Sequence, residues 1–385
     1  MKGQTYTYVG LNAHLLSMQA GYRRGGIHNY IQQLIRHLAD ADPSQRYLVF
    51  AGRTHAGQRR QADQARISWQ VSRWPTERPL VRIVWEQAAQ PWAARRSGVH
   101  LLHSLAFVSP MLSPVPAVIT VHDLSFLRYP ERFRPANRLY LSTMTRLSCR
   151  RARRVIAVSQ ATADEIVRLL GVSAAHIDVI PHGVEHDRFQ PVPAAELHDF
   201  RRKKELPERL ILYLGTLEPR KNILTLLEAY GRTRAFRESV PLVIAGGKGW
   251  YYEEIFERVE QLGLTDAVRF PGFVPDAEIP LWYNAATVFV YPSIYEGFGL
   301  PLLEAMACGT AVIGSTASSI PEVVQGAGLL VAPDDVDQLS DSLDRVVQDR
   351  VLRAELSERG RARSVNFTWQ ATAAATAASY RRALS

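Results

Sequence analysis

Two successive series of short apolar, β-branched runs alternate with helical segments along this 385-residue chain. Such alternation calls for parallel sheets covered by helices on both faces. The first series predicts strands at 6–11, 47–51, 67–71, 100–103, 117–121, 155–158 and 177–180, with helices at 137–151 and 161–169 among them. Its first helix carries Ile27, Ile31, Leu34, Ile35 and Leu38 at helical spacing. The second series predicts strands at 210–214, 242–245, 268–270, 287–291 and 311–314, separated by helices at 223–230, 252–262 and 277–285. A further helical region begins at Asp335, and the alanine-rich tail 369–382 is helical. Between the two series, residues 185–207 are polar and proline-bearing without a sustained period, and read as a linker. The predicted fold class is α/β, with two doubly wound, Rossmann-like domains facing each other across a cleft. Residues 1–190 form the first domain and 191–365 the second, and 366–385 form a last helix packing back toward the first. Ligands of open α/β sheets gather outside the carboxyl ends of the strands. A cleft enzyme is the expectation.

The most specific chemistry lies in Glu296-Gly-Phe-Gly-Leu-Pro-Leu-Leu-Glu304, which places two carboxylates eight positions apart across a glycine loop. The β-branched and aromatic run before it reads as a buried strand, and Pro301 suits the first turn of a helix that ends at Gly309. Glu296 then stands in a loop at the carboxyl edge of the sheet, and Glu304 early in the helix. Free N–H groups at the start of that helix suit phosphate. Two acceptor-rich carboxylates beside an anion cradle grip a hydroxyl-rich molecule carrying a diphosphate, and a nucleotide sugar is one.

Other residues stand at equivalent strand ends. Gly25-Gly26 precedes the first helix and lets backbone approach a ligand closely. His122-Asp123 follows the apolar run 117–121. Arg220 and Lys221 follow the strand 210–214, where a fork and a point charge neutralise phosphates. Lys221 is one of only five lysines, since 41 of the 46 basic residues are arginine. Asp335-Val-Asp337 has the DxD form of metal-dependent transferases, but the acidic start of a helix accounts for it, and no metal is expected. The glycines at 246–249 fit neither a Walker A loop nor a GxGxxG fingerprint, which disfavours a P-loop enzyme or a dehydrogenase.

Composition narrows the remainder. With 46% hydrophobic and 22% charged residues the chain has ample core material, and its two cysteines make no disulfide framework. No apolar run approaches the ~20 residues of a spanning helix, so a cytoplasmic protein, peripheral on the inner membrane face, is expected. Residues 1–190 carry 25 Lys/Arg against 12 Asp/Glu, a net of +13, whereas the rest carries 21 against 25, a net of −4. That asymmetry suits an anionic membrane surface or a phosphate-bearing acceptor. Nucleic acid is not expected, because the basic clusters lack interleaved aromatics.

Taken in order, these motifs resemble the retaining GT-B glycosyltransferases of family 4, nearly end to end. Carrying the likeness are the glycine loop, His122-Asp123-Leu124, Pro181-His182-Gly183, Gly215 through Asn222, Phe270-Pro-Gly-Phe273, the Glu296–Glu304 element and Pro321-Glu322. The segment Leu217–Asn222 and Gly247-Lys248-Gly249-Trp250 look most like bacterial mannosyltransferases using GDP-mannose. The resemblance implies that Glu304 binds the nucleotide ribose and Glu296 the donor sugar. It implies backbone contacts from Phe298, Gly299 and Leu300 to the sugar diphosphate, with Gly26 approaching from the other domain. Lys221 and Arg220 would stabilise the leaving diphosphate, His122 would lie against the donor sugar, and Phe273 and Val274 would meet the base. Many members carry arginine where this chain has Thr216, and Arg220 takes over that charge. The implied activity is hexosyl transfer, from GDP-mannose or alternatively a UDP-, ADP- or dTDP-sugar, to a glycan or lipid-linked acceptor. A sugar-nucleotide epimerase or phosphorylase and a non-catalytic sugar- or lipid-binding module are the competing readings.

Overall fold

The computed structural model describes residues 6–16, 26–53, 66–130 and 133–385. The chain divides into two compact units, one of Met1–Gly183 with Trp369–Ser385 and the other of Val184–Thr368. The final helix Trp369–Leu384 is therefore part of the first unit.

The first unit contains a seven-stranded parallel sheet in the order β3-β2-β1-β4-β5-β6-β7. Its strands are β1 (Thr7–Asn12), β2 (Gln45–Ala51), β3 (Ile67–Val71), β4 (Leu101–Ser104), β5 (Ala117–Val121), β6 (Arg154–Ala157) and β7 (Ile177–Val179). Alternating residues divide between two cores. Val9, Leu11, Tyr47 and Val49 pack with helices Gly26–Ala41 and Trp369–Leu384, while Leu48, Phe50 and Leu102 face the helical stretch 79–96. Gly10 is required here, because a Cβ would stand 2.9 Å from the Phe50 ring. A buried polar chain crosses the first core. Tyr30 shares a hydrogen bond with Thr120 at 2.9 Å, and His103 bonds both Thr120 (2.8 Å) and Tyr380 (2.7 Å). His103, which the sequence pattern sets at a strand end, is thus inside β4 and ties the last helix to the sheet.

The second unit contains a six-stranded parallel sheet in the order β10-β9-β8-β11-β12-β13. These are β8 (Ile211–Leu214), β9 (Leu242–Ala245), β10 (Val268–Gly272), β11 (Val288–Tyr291), β12 (Val312–Ser315) and β13 (Leu329–Val331). In each sheet the chain starts in the middle, winds to one edge and returns to the other side. The order reverses between β1 and β4 in the first sheet and between β8 and β11 in the second.

Short helices aside, three elements differ from the sequence reading. Residues 185–207 are not a bare linker, for they contain the helix Ala194–Lys203 of the second unit. Only Phe200 of that helix is buried, packing its ring on Trp282 at 5.4 Å, so no apolar period announces it. The strand β13 escapes notice because it has three residues. The helical stretch 79–96 is hidden by its prolines. Pro79 occupies its first turn, and the π-turn Trp85–Ala89 widens the helix just before Pro91. A wide turn relieves the clash between a proline ring and the carbonyl four residues earlier.

Candidate functional site

The reversal of strand order in the second sheet places the loops after β8 and β11 side by side, which is where an α/β sheet opens a ligand crevice. After β8 the chain passes Gly215 and forms a short 3-10 turn, Pro219–Lys221. Asn222 ends that turn in the left-handed region at φ 60°, a conformation its short polar side chain tolerates. Its amide donates to the carbonyls of Pro292 (3.2 Å) and Pro333 (2.6 Å), and the Ile294 amide donates to the Arg220 carbonyl (2.9 Å). These bonds hold the two loops in register.

Charged side chains meet across that seam. Lys221 Nζ lies 2.6 Å from Glu296 Oε1 and also donates to the Tyr291 hydroxyl. Arg220 Nη1 reaches Glu296 Oε2 at 3.1 Å and the Tyr295 carbonyl at 3.2 Å, and its Nε pairs with Glu218. Lys221, Glu218 and Glu296 are all less than a tenth exposed. Burial alone pushes the Glu296 carboxyl up, but the neighbouring Lys221 and Arg220 outweigh it and hold it at about 2. Burial, followed by the Arg220 charge, pulls the Lys221 ammonium below the usual lysine range, and Glu296 and Glu218 oppose them. Two cations and two carboxylates thus form one compact, internally balanced cluster.

From Glu296 the loop continues to the helix Leu300–Ala307. Ser318 and Ser319 donate to the Glu296 carbonyl at 2.6 and 3.0 Å, and Ser319 also to the Phe298 carbonyl at 2.8 Å. Phe298 is buried, with its ring 5.9 Å from Phe367, and Gly299 takes φ 110°, which a side chain rarely adopts. The loop is therefore fixed on both sides before Leu300 opens the helix. One turn in, the half-buried Glu304 accepts a 3.1 Å hydrogen bond from Tyr283. Burial raises its carboxyl to about 7, against the lowering influence of Arg188 and Tyr283, with the Glu185 and Asp276 carboxylates adding to the rise. Phe273 is half exposed and Val274 buried, just after β10 at the sheet edge.

His122 belongs to the first unit and follows β5. Its Nε2–H donates to the Leu105 carbonyl at 2.9 Å, which leaves Nδ1 as the unprotonated nitrogen. The ring sits among Tyr30 (4.8 Å), Phe107 (5.8 Å) and His182 (5.7 Å). Burial pushes it down to about 4, partly offset by the Leu105 bond and Asp123, so it is neutral at physiological pH. Gly26 is exposed and opens the helix Gly26–Ala41, whereas Gly25 lies outside the described residues.

Lys221, Arg220 and Glu296 are thus brought into contact, and Phe298, Gly299, Leu300 and Glu304 follow on the same loop and helix. Glu218, Tyr291 and Tyr283 are additional polar partners. Glu218 stands inside the motif that supplies Arg220, and the need to balance two adjacent cations is its only signal. Neither tyrosine has one, because both lie in runs that read as core. Asp335 caps the helix Val336–Gln348 by accepting from the Gln338 amide at 2.8 Å, and Asp337 pairs with Arg232.

The loops also depend on a close backbone approach. Gly246 takes φ 148°, and a Cβ there would fall 1.9 Å from the Gly215 carbonyl oxygen. Gly246→Ala therefore displaces the start of the Lys221 loop. We expect about 1–3 kcal/mol of lost stability, read as a lower thermal midpoint.

Comparison with known proteins identifies the family. Residues 195–363 match the family described as "Glycosyl transferases group 1", and residues 24–188 match "Glycosyltransferase Family 4". The chain belongs to these glycosyltransferases. It is 33% identical over 360 residues to the O-antigen chain mannosyltransferase B of Escherichia coli, covering 91% of this chain and 94% of that one. It is 30% identical to an MMP alpha-(1->4)-mannosyltransferase of Mycolicibacterium hassiacum, covering 82% and 78%. Among solved structures, a sucrose-phosphate synthase from Thermosynechococcus elongatus superposes with a TM-score of 0.75 at 26% identity, covering 97% and 98%. Anabaena HepE in complex with UDP and glucose gives the same score at 20% identity, covering 98% of this chain and 100% of that one, a likeness of fold alone. The fold is GT-B, with two doubly wound α/β domains.

Proposed function

We propose that this glycosyltransferase moves a mannosyl residue, with retention, from GDP-mannose to a glycan or lipid-linked acceptor in cell-envelope or exopolysaccharide assembly. The observation that carries the site reading is the buried Lys221–Glu296 pair, joined by the half-buried Arg220, at the strand-order reversal of the second sheet. Relatives named as mannosyltransferases support the sugar. Departure of a nucleoside diphosphate builds negative charge on the leaving group and positive charge on the anomeric carbon. Lys221 and Arg220 stabilise the first, with the amides of Phe298, Gly299 and Leu300 at the helix start. Glu296, ionised at neutral pH, holds the donor sugar and favours developing positive charge beside it. In this reading it is an electrostatic and positioning group rather than the nucleophile of a retaining glycosidase. Glu304 accepts from the ribose hydroxyls, Phe273 and Val274 meet the base, and Gly25, Gly26 and His122 complete the donor contacts. Neutral His122 presents an unprotonated Nδ1 and accepts a hydrogen bond from a sugar hydroxyl. No metal is assigned a part. The excess of basic residues in the first 190 suits a place on the anionic inner face of the cytoplasmic membrane, and no described helix is long and apolar enough to cross one.

A thermal-shift series with GDP-mannose, UDP-glucose, ADP-glucose and dTDP-rhamnose tests the donor. We expect the largest rise in midpoint with GDP-mannose, and release of GDP that accelerates when a mannoside acceptor is added. A larger shift with another nucleotide sugar would overturn the assignment of the base.

A further inference from the structure

The helical stretch 79–96 buries one side against the first sheet and leaves the other uncovered by any described residue. On the uncovered side Leu80, Val84, Ala88 and Trp92 recur every fourth position, and the π-turn keeps them in line. Leu80 is 78% exposed, Val84 52% and Trp92 63%. A soluble helix places polar residues on that face, so an exposed stripe of this kind marks a contact surface.

Neighbouring elements extend it. Gln87, on the same stretch, accepts from the Met111 amide at 3.0 Å and donates to the Ser109 carbonyl at 3.3 Å. The Ser109 amide in turn donates to Ser148 of the helix Pro135–Arg151 at 3.0 Å. These bonds join the helical stretch, the loop around Leu112 and the helix Pro135–Arg151 into one surface of the first unit. Leu112 is 79% exposed, Leu139 68%, and Trp74, just before the stretch, 45%.

The charge around these side chains is predominantly positive. Residues 73–96 hold five arginines and two glutamates, and one of the glutamates, Glu86, is buried and bonded to Asn12. The helix Pro135–Arg151 carries Arg138, Arg146, Arg150 and Arg151 and no acidic residue. Arg96 lies over the Trp92 ring at 5.1 Å, which presents an indole and a guanidinium together. Apolar side chains and tryptophan within an arginine field match the interfacial zone of an anionic bilayer, where apolar burial and headgroup attraction act together.

We propose that this face, formed by the helical stretch 79–96, the Leu112 loop and the helix Pro135–Arg151, docks the protein onto an anionic lipid bilayer. Trp92, Leu80 and Val84 enter the interface and the arginines lie at headgroup level. The proposal rests on the membrane reading above and assigns it to residues, so the test separates the two. Full-length protein is sedimented with phosphatidylcholine vesicles holding about one-third phosphatidylglycerol, alongside Leu80→Glu/Val84→Glu/Trp92→Glu and Arg95→Glu/Arg96→Glu variants. Wild type should cosediment, bind far less to pure phosphatidylcholine, and lose affinity as salt rises. Since a basic residue near such a surface contributes about 1 kcal/mol, reversing two should cost at least about tenfold, and so should placing three carboxylates where apolar side chains enter the interface. Its thermal midpoint and its nucleotide-sugar binding should stay as in wild type, because the replaced side chains are exposed. Absence of wild-type binding would overturn the membrane reading itself. Binding that survives in both variants would leave that reading standing and refute this surface. A concentration-dependent dimer broken by the triple variant, without vesicle binding, would assign the face to a second copy of the chain instead.

Discussion

Replacing Glu296 with Gln should lower turnover by about 10²–10³-fold while making the enzyme hold free nucleoside diphosphate several-fold more tightly. The two effects have one cause. Glu296 accepts from both Lys221 (2.6 Å) and Arg220 (3.1 Å), so it competes with a bound diphosphate for the same cations. Removing its charge releases them toward phosphate and tightens the product complex. The same change removes the negative group that favours positive charge at the anomeric carbon, and one preorganised electrostatic contact in a transition state is worth about that much in rate. Glu296→Ala should behave differently from Gln in stability. It leaves Lys221 buried with its carboxylate partner gone, and breaking a buried pair costs about 3–5 kcal/mol. Gln keeps an acceptor within reach, so its thermal midpoint should lie between those of wild type and Ala. Lys221→Ala should also lower transfer strongly but weaken nucleoside diphosphate binding, the opposite sign to Glu296→Gln. Calorimetric titration with GDP and single-turnover release of GDP from GDP-mannose give the two readouts. Wild-type turnover in Glu296→Gln, or weaker GDP binding in it, would remove Glu296 from the reacting end.

The strand-and-helix series is legible because parallel strands covered on both faces need unbroken apolar runs, and runs such as Ala117–Val121 and Leu242–Ala245 are among them. The Glu296–Glu304 loop is legible because its glycines and proline interrupt such a run at a strand's carboxyl end. What local patterns miss is set by long-range packing. The helix Ala194–Lys203 is held by one buried phenylalanine and by Arg201, which donates to the Ala285 carbonyl at 2.7 Å, contacts that no local period encodes. The site has the same boundary. Sequence offers Arg220 and Lys221 as cations for phosphate, but their engagement by Glu296 depends on β8 and β11 being neighbours. That adjacency follows only from the reversal of strand order. It turns two separate grips on a ligand into one coupled cluster, and it is why Glu296 is predicted to oppose product binding.

Glu304 should make donor binding pH-dependent near neutrality. Its carboxyl is raised from 4.5 to about 7 by burial, whereas Glu296 stays at about 2 and His122 at about 4. Of these three, Glu304 alone changes charge between about pH 6 and 8. Ribose hydroxyls donate to a carboxylate, so the ionised form binds the nucleotide. Only about one-tenth of Glu304 is ionised one unit below its pKa and about nine-tenths one unit above. The dissociation constant for GDP-mannose should therefore fall by up to about tenfold as pH rises from about 6 to about 8. The intact sugar nucleotide is the right probe, because its diphosphate has no titrating oxygen in that range and free GDP does. Binding should release a proton near pH 7, seen as a titration heat that depends on the ionisation enthalpy of the buffer. Stability runs the other way. The folded state holds the Glu304 proton more tightly than the unfolded chain, so this contribution is full below about pH 4.5 and is lost as pH rises through about 7. Glu304→Gln should flatten both slopes and bind the donor weakly at every pH. A donor affinity independent of pH in wild type, or a slope that persists in Glu304→Gln, would place the ribose contact elsewhere. A flat binding curve with the stability slope intact would confine Glu304 to the Tyr283 hydrogen bond and leave the ribose to another acceptor.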